Sequence, residues 1–254
     1  MTVDVTVLVP TFNHERYIAA TLASVVGQTA VARTEIVVSD DCSTDRTLET
    51  ARLAADGFPN VRVQKTEKNL GVMQHYRSLV SNIETEFIAI LEGDDCWINA
   101  RKLELQLRAL ERHSTVSGSF TACHVHDEAS GKEWTLPNWS AGRSQLISFI
   151  DLLSDNPIAT FSNCLYRRDA LVSALERANT GYDWLVNLLV AATGGLAFVG
   201  TVSTLYRVRQ EGAWSGRTPL DKAAMVLQTL QALRLQVGGL ERMYVEDAIT
   251  RAVK

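Results

Sequence analysis

The chain has few cysteines, no basic stripe and no long unbroken apolar run, and each absence closes a class of function. Cys42, Cys96, Cys123 and Cys164 are its four cysteines, scattered over 254 residues with no Cys-x-x-Cys pair. That spacing argues against a structural zinc site or a disulfide framework and fits a reducing compartment. A net charge of −4 without any Lys/Arg cluster leaves no electrostatic footprint for nucleic acid. The most apolar late stretch, Leu185 to Val199, is interrupted by Asn187 and by Gly194-Gly195, too short and too broken to span a bilayer. The amino terminus enters a β-branched run almost at once, so no secretory leader is expected. The expectation is a cytoplasmic protein, with attachment to the inner face of a membrane left open. Neither Gly-x-Gly-x-x-Gly nor Gly-Lys-Ser/Thr follows the first strand, which disfavours a dinucleotide-binding Rossmann site and removes a phosphate loop. There is no internal repeat and no low-complexity linker.

What is present is an alternation of strand and helix patterns over roughly the first hundred residues. Val3 to Val9 is β-branched and reads as a strand ended by Pro10. Asn13 is placed to cap a helix carrying Tyr17, Ile18, Leu22, Val25 and Val26 on one side. Strand patterns recur at 35–38, 61–64 and 87–91, with helices over about 44–55, 71–83 and 101–113. Such alternation predicts βαβ units, a mostly parallel sheet flanked by helices, and right-handed crossovers. Beyond residue 115 the pattern is less regular. Strands are expected at 119–126, 160–166 and 196–208, a Trp- and Pro-containing loop at 134–143, and helices at 146–153, 169–178 and 182–192. A last helix over 220–237 carries Leu220, Ala223, Leu227, Leu230, Leu233 and Val237 on one face. It could lie on a membrane, pair with a partner or dock on the protein's own core, the last being the commoner outcome.

Polar clusters stand at the carboxyl ends of three of these strands: Thr11-Phe12-Asn13, Asp40-Asp41, and Glu92-Gly93-Asp94-Asp95. Open α/β sheets bind ligands at that edge. In Leu91-Glu92-Gly93-Asp94-Asp95-Cys96-Trp97, three carboxylates fall within four positions. Adjacent acids repel unless a cation or hydrogen-bond donors lie between them. Hard oxygen ligands at a sheet edge suit Mg²⁺ or Mn²⁺ shared with a phosphate-bearing substrate, although a solvated acidic turn has the same composition. Asp41 could accept from a base N–H or a ribose hydroxyl, or cap the turn at Thr44 or Asp45.

In order and spacing, these segments resemble the inverting family 2 glycosyltransferases of the GT-A fold. The resemblance rests on Val7-Leu8-Val9-Pro10-Thr11-Phe12-Asn13, Ser24 to Thr29, Glu35 to Asp45, Asn69-Leu70-Gly71-Val72 and Leu91 to Trp97. Weaker matches are Phe161 to Arg168, Gly181-Tyr182-Asp183-Trp184, and Leu205 to Arg209 with Gly212, Trp214 and Ser215. The resemblance implies a single GT-A domain over 1–218, with a nucleotide-binding half (1–115) and a more irregular acceptor-side half (116–218), followed by a helical tail at 219–254.

The same resemblance implies that Asp41 contacts the nucleobase and that Thr11 and Asn13, with Pro10 and Asn69, line the nucleotide pocket. It implies that Asp94 and Asp95 hold ribose and metal, Asp95 being favoured as the direct ligand, and that Asp183 deprotonates the acceptor hydroxyl. A base facing the departing nucleotide is what the chemistry requires, and a helix cap is the structural alternative for Asp183. The implied partners are a nucleotide-diphosphate sugar, UDP-linked for preference, and a glycan, lipid-linked or protein acceptor. Two positions depart from the family: Glu92 replaces the first Asp of Asp-x-Asp, and Arg209 replaces a late His. Arg209 could hold the diphosphate as a fixed cation. Trp97 and Trp184 could stack on sugar rings, or simply fill the core. His124 and His126, alternating on one strand, suit packing better than metal ligation in the absence of a third ligand. The rival readings are a GT-A-like module that binds without turnover and a sugar nucleotidyltransferase.

Overall fold

The computed structural model describes residues 4–138, 145–178, 183–210, 212 and 216–252. In the nucleotide half, β1 (Val5–Thr11), β2 (Thr34–Asp40), β3 (Val61–Lys65) and β4 (Phe87–Ile90) alternate with α1 (Ile18–Val26), α2 (Thr47–Ala55) and α3 (Val72–Val80). After β5 (Cys96–Trp97) and α4 (Lys102–Arg112) come β6 (Gly118–Asp127), β7 (Glu133–Leu136), β8 (Gln145–Ile147) and α5 (Phe149–Ser154). The chain then runs through β9 (Cys164–Arg167), α6 (Arg168–Arg177), α7 (Asp183–Gly194), β10 (Leu196–Val208), α8 (Pro219–Arg234) and α9 (Gly239–Ala252).

One sheet has the order β3-β2-β1-β4-β9-β6-β10-β5, with β7 on β6 and β8 on β10. Strands β3, β2, β1 and β4 are mutually parallel. Beyond β4 the sheet is mixed: β9 runs antiparallel to β4 and β6, β6 and β10 are parallel, and β5 is antiparallel to β10. Pro10 is tolerated inside β1 because pairing with β4 stops at Leu8, so its missing N–H costs no ladder bond.

All seven residues of β1 are buried, as a central strand covered on both faces demands. Val5, Val7 and Val9 face one core with Ile18 and Leu22 of α1 and Leu103, Leu107 and Leu110 of α4. Leu8 faces the other, with Tyr76 and Leu79 of α3 and the apolar side chains of α5, α6 and α7. The last two helices close over this second core through Leu230, Leu233, Val245 and Ala248. The apolar stripe expected along α8 is only half used, since Leu220 is 80% exposed. That end is fixed instead by a Thr218–Asp221 capping box ahead of Pro219. Among the described residues no helix is long and apolar enough to cross a membrane.

Asn13 does not cap α1. It adopts a left-handed backbone (φ 56°), and α1 begins only at Ile18, without a side-chain cap. Its Oδ1 accepts from the Thr44 N–H at 2.9 Å, and its own N–H donates to Ser43 Oγ at 2.9 Å. The residue stitches the β1 and β2 loops together, a use of asparagine's tolerance for this conformation.

Candidate active site

The loops after β1, β2 and β4 meet at one edge through their own backbones. Asp41 N–H donates to Thr11 O (2.8 Å), and Gly93 N–H to Pro10 O (3.0 Å). The Gly93 contact needs a glycine: a Cβ there would stand 2.5 Å from Thr11 Oγ1 and 2.8 Å from His14 Nδ1. Asp41 is 4% exposed and caps neither Thr44 nor Asp45. Its carboxylate accepts from Thr66 Oγ1 (3.1 Å) and from the N–H groups of Leu70 (2.9 Å) and Gly71 (3.0 Å). Asn69 completes this turn, donating to Asp41 O (3.1 Å) and accepting from Gly71 N–H (3.1 Å). Thr11, Asn13, Asp41 and Asn69 are thus gathered at the crevice, and each is also part of its scaffold.

The three acids that follow β4 diverge. Glu92 turns toward α3, with Oε1 accepting from Tyr76 O–H (3.1 Å) and Oε2 lying 2.7 Å from Thr160 Oγ1. Asp95, 1% exposed, turns toward β10, with Oδ1 accepting from Arg207 N–H (3.0 Å) and Oδ2 lying 3.2 Å from Thr160 Oγ1. Thr160 has one hydroxyl proton and cannot donate to both acids at once. Burial, then the Asp94 charge, raises the pKa of both acids, that of Asp95 well above the carboxylate range.

Asp94 pairs with the arginines at the end of β10. Its Oδ2 accepts from Arg209 Nε (2.8 Å) and Nη2 (2.6 Å). Arg209 Nη2 also lies 2.9 Å from His14 Nε2. A guanidinium can only donate, so His14 Nε2 must accept, which makes this imidazole neutral with its proton on Nδ1, toward Thr11 Oγ1 at 3.2 Å. Burial lowers the His14 pKa, consistent with that tautomer. Tyr17 completes the wall. Its ring lies 5.4 Å from the Arg207 guanidinium and 5.3 Å from that of Arg209, and its hydroxyl donates to Glu128 at 2.8 Å.

Asp183 is half-buried at the first turn of α7. Burial, reinforced by the Glu92 charge, pushes its pKa up to about 7, against the pull of the N–H groups of Trp184 and Asp183 itself. A carboxyl poised near neutrality can exchange a proton at physiological pH.

Two expected sugar contacts face the core instead. Trp97 is 4% and Trp184 8% exposed; their indole N–H groups donate to Ser162 O (2.9 Å) and Leu152 O (3.0 Å). A buried indole needs such a partner, and the Trp97 ring is further covered by Lys102 Nζ at 4.3 Å. Trp139, Gly181, Tyr182, Trp214 and Ser215 lie outside the described residues. His124 and His126 both face Glu133, at 3.4 and 3.1 Å. Sequence reasoning missed His14, Tyr17, Tyr76, Thr160 and Arg207. His14, next to the quoted Asn13, and Arg207, inside the quoted Leu205–Arg209 match, carried a local signal.

The sequence profile described as Glycosyl transferase family 2 matches residues 6–173. The chain belongs to this family. An uncharacterised protein of Mycobacterium tuberculosis is 28% identical over 204 residues, 80% of this chain and 58% of the relative. This chain therefore spans little more than half of that protein's length. Poly(ribitol-phosphate) β-N-acetylglucosaminyltransferase TarS of Staphylococcus aureus is 34% identical over 109 residues, 42% of this chain and 19% of TarS. The crystal structure of TarS 1–349 with UDP-GlcNAc superposes with a TM-score of 0.74 at 20% identity, over 100% of this chain and 72% of that one. A mannosyltransferase from Pyrobaculum calidifontis in complex with GDP-Man and Mn²⁺ gives 0.68 at 18% identity, over 100% and 74%. These likenesses establish the GT-A fold, one α/β domain with a curled mixed sheet.

Asp95 and Asp94, with Glu92 beside them, are the residues that would hold the divalent ion that the family 2 resemblance implies. In this structure Asp95 and Glu92 accept from Arg207 N–H and Tyr76 and lie beside Thr160, and Asp94 Oδ2 accepts from Arg209. Among the described residues no group of three His, Cys, Asp or Glu side chains is arranged to hold a metal.

Proposed function

We propose that this chain is an inverting glycosyltransferase that moves a sugar from a nucleotide-diphosphate donor, UDP-linked for preference, to an acceptor hydroxyl of a growing glycan. The observation that carries the reading is Asp183. It is a carboxyl with a pKa of about 7 within electrostatic reach of Glu92 in the loop after β4. In this reading Asp183 takes the proton of the acceptor O–H as the oxygen attacks the anomeric carbon. The bond from that carbon to the diphosphate breaks on the opposite face, and its electron pair leaves with the nucleotide. The guanidinium of Arg209 stabilises the charge gathering on the diphosphate. Asp41 and the Asn69-Leu70-Gly71 turn bind the base, beside Thr11 and Asn13, and Asp94 meets the ribose.

The activities of relatives support the class: TarS is an N-acetylglucosaminyltransferase solved with UDP-GlcNAc. They favour a surface polysaccharide or related glycoconjugate as acceptor, which on family analogy would place the reaction on the cytoplasmic side, lipid-linked acceptors being met at the membrane surface. The test is a panel of UDP-, GDP- and dTDP-sugars with candidate glycan acceptors, following binding and nucleotide diphosphate release. UDP release with acceptor consumption is expected. Donor binding without release by any acceptor would favour a non-catalytic module. Pyrophosphate formed from a nucleoside triphosphate and a sugar phosphate would favour a nucleotidyltransferase.

A further inference from the structure

We infer that Tyr206 is a sugar-binding residue, its phenolic O–H donating to an oxygen of the transferred sugar between Asp183 and the nucleotide diphosphate. The inference rests on the glycosyltransferase reading for its ligand, while the place of the hydroxyl follows from the strand that carries it. β10 pairs with β5 through Thr204 and Leu205 only. Beyond them its edge meets the acid loop, where Arg207 N–H donates to Asp95 Oδ1 at 3.0 Å. Side chains alternate between the two faces of a strand. Arg207 reaches the Asp94 carbonyl and lies over the Tyr17 ring, so Tyr206 stands on the opposite face. There Thr204 Oγ1 donates to Ser162 O at 3.3 Å, and Ser162 Oγ accepts from Glu92 N–H at 3.0 Å. The Tyr206 hydroxyl lies within electrostatic reach of Asp95, Glu92, Asp183 and Asp94.

A site walled by four acids is rich in acceptors and poor in donors, because an ionised carboxylate can only accept. The neighbouring donors are already engaged. Tyr76 O–H is given to Glu92 at 3.1 Å, Thr160 Oγ1 lies 2.7 Å from Glu92 and 3.2 Å from Asp95, and Arg207 N–H is given to Asp95. Tyr206 differs from them. Its side chain is half-buried, yet among the described residues its hydroxyl has no hydrogen-bond partner. A tyrosine packed in this way ordinarily gives its O–H to something. A sugar hydroxyl carries one proton and two lone pairs. Carboxylates can take the proton side of that group, and Tyr206 supplies the donor for its oxygen. The residue adjoins Arg207 in sequence and Asp183 in space, the two ends between which an inverting transfer must hold the sugar.

The experiment measures binding of UDP, UDP-glucose, UDP-GlcNAc and UDP-galactose to the wild-type chain and to Y206F by isothermal titration calorimetry. Circular dichroism and melting temperature confirm that the variant is folded. UDP should bind both chains with affinities within about twofold of each other. The UDP-sugar that the wild type binds best should bind Y206F about three- to tenfold more weakly, the range of one neutral hydrogen bond. Because the hydroxyl has no partner in the protein, Y206F should melt within about 2 °C of the wild type. A loss of less than about threefold for that UDP-sugar, or an equal loss for UDP, would overturn the inference. So would a melting temperature lowered by more than about 2 °C, which would place the hydroxyl in a bond within the protein. A wild type that binds neither UDP nor any of the three UDP-sugars sinks the functional reading instead, and the melting comparison still decides whether the hydroxyl is uncommitted.

Discussion

Replacing Asp183 by asparagine separates the chemistry of this side chain from its place in the fold. The wild-type carboxyl rises from an ordinary 3.8 to about 7 because burial and the Glu92 charge disfavour its ionised form. A rise of that size corresponds to about 4 kcal/mol, and the partial solvent access of Asp183 reduces the figure to ~2–4 kcal/mol. The sign follows from proton binding. Between the two pKa values the folded chain holds a proton that the unfolded chain has lost, so wild-type stability falls as pH rises from about 4 through about 7 and is flat above. Asparagine mimics the neutral acid and escapes this loss. D183N should therefore be more stable than wild type in urea denaturation, and the gain at about pH 8 should exceed that at about pH 5 by ~1–3 kcal/mol. The same substitution removes the base, so kcat/KM for glycosyl transfer should fall by about 10²–10⁴. Wild-type kcat/KM should drop about tenfold per pH unit below about 7. A stability difference of equal size at both pH values would refute the raised ionisation. A D183N enzyme retaining more than about a tenth of wild-type kcat/KM would refute the role as base.

Three further substitutions test the scaffold. Gly93→Ala drives a methyl group against Thr11 and His14; a loss of about 1–3 kcal/mol in thermal unfolding is expected, together with weaker UDP binding, and unchanged affinity would show that this contact does not set the Arg209 geometry. Asp41→Asn turns an amide N–H₂ toward N–H donors that now meet carboxylate oxygens, so stability should fall by about 2–3 kcal/mol with UDP affinity falling in parallel; a stable variant with normal affinity would contradict both roles. Tyr166→Phe deletes the 2.6 Å bond to Asn187 Oδ1 in a fully buried setting. The expected cost is about 1–3 kcal/mol in chemical denaturation with UDP affinity unchanged, and a neutral effect would mean that water reaches Asn187.

Much of the nucleotide half was legible in the sequence because its signals are local. Buried parallel strands read as apolar runs and covering helices as stripes, and the polar clusters at strand ends follow in chain order, as with Thr11, Asp41 and Asp94. Asn13 and Asp41 stand at the expected strand ends but do not make the caps weighed for them, since a capping side chain chooses among neighbours that the sequence does not rank. Trp97 and Trp184 show the same limit: adjacency to a site in sequence does not say which way an indole points.

By itself the sequence determined the family, the alternating α/β order and the edge at which the crevice forms, because period, propensity and turn chemistry act over a few residues. Only the tertiary structure decided the use of each acid. The antiparallel pairing of β5 with β10, after register shifts between Val199 and Thr204, brings Arg207 and Arg209 to the Leu91–Trp97 loop across more than a hundred residues of chain. Glu92, Asp94 and Asp95 look alike in sequence, yet one meets Tyr76, one Arg209 and one the β10 backbone. Their charges, their protons and their access to the crevice follow from those long-range partners, because desolvation and pairing are properties of a place in the fold and not of a residue type.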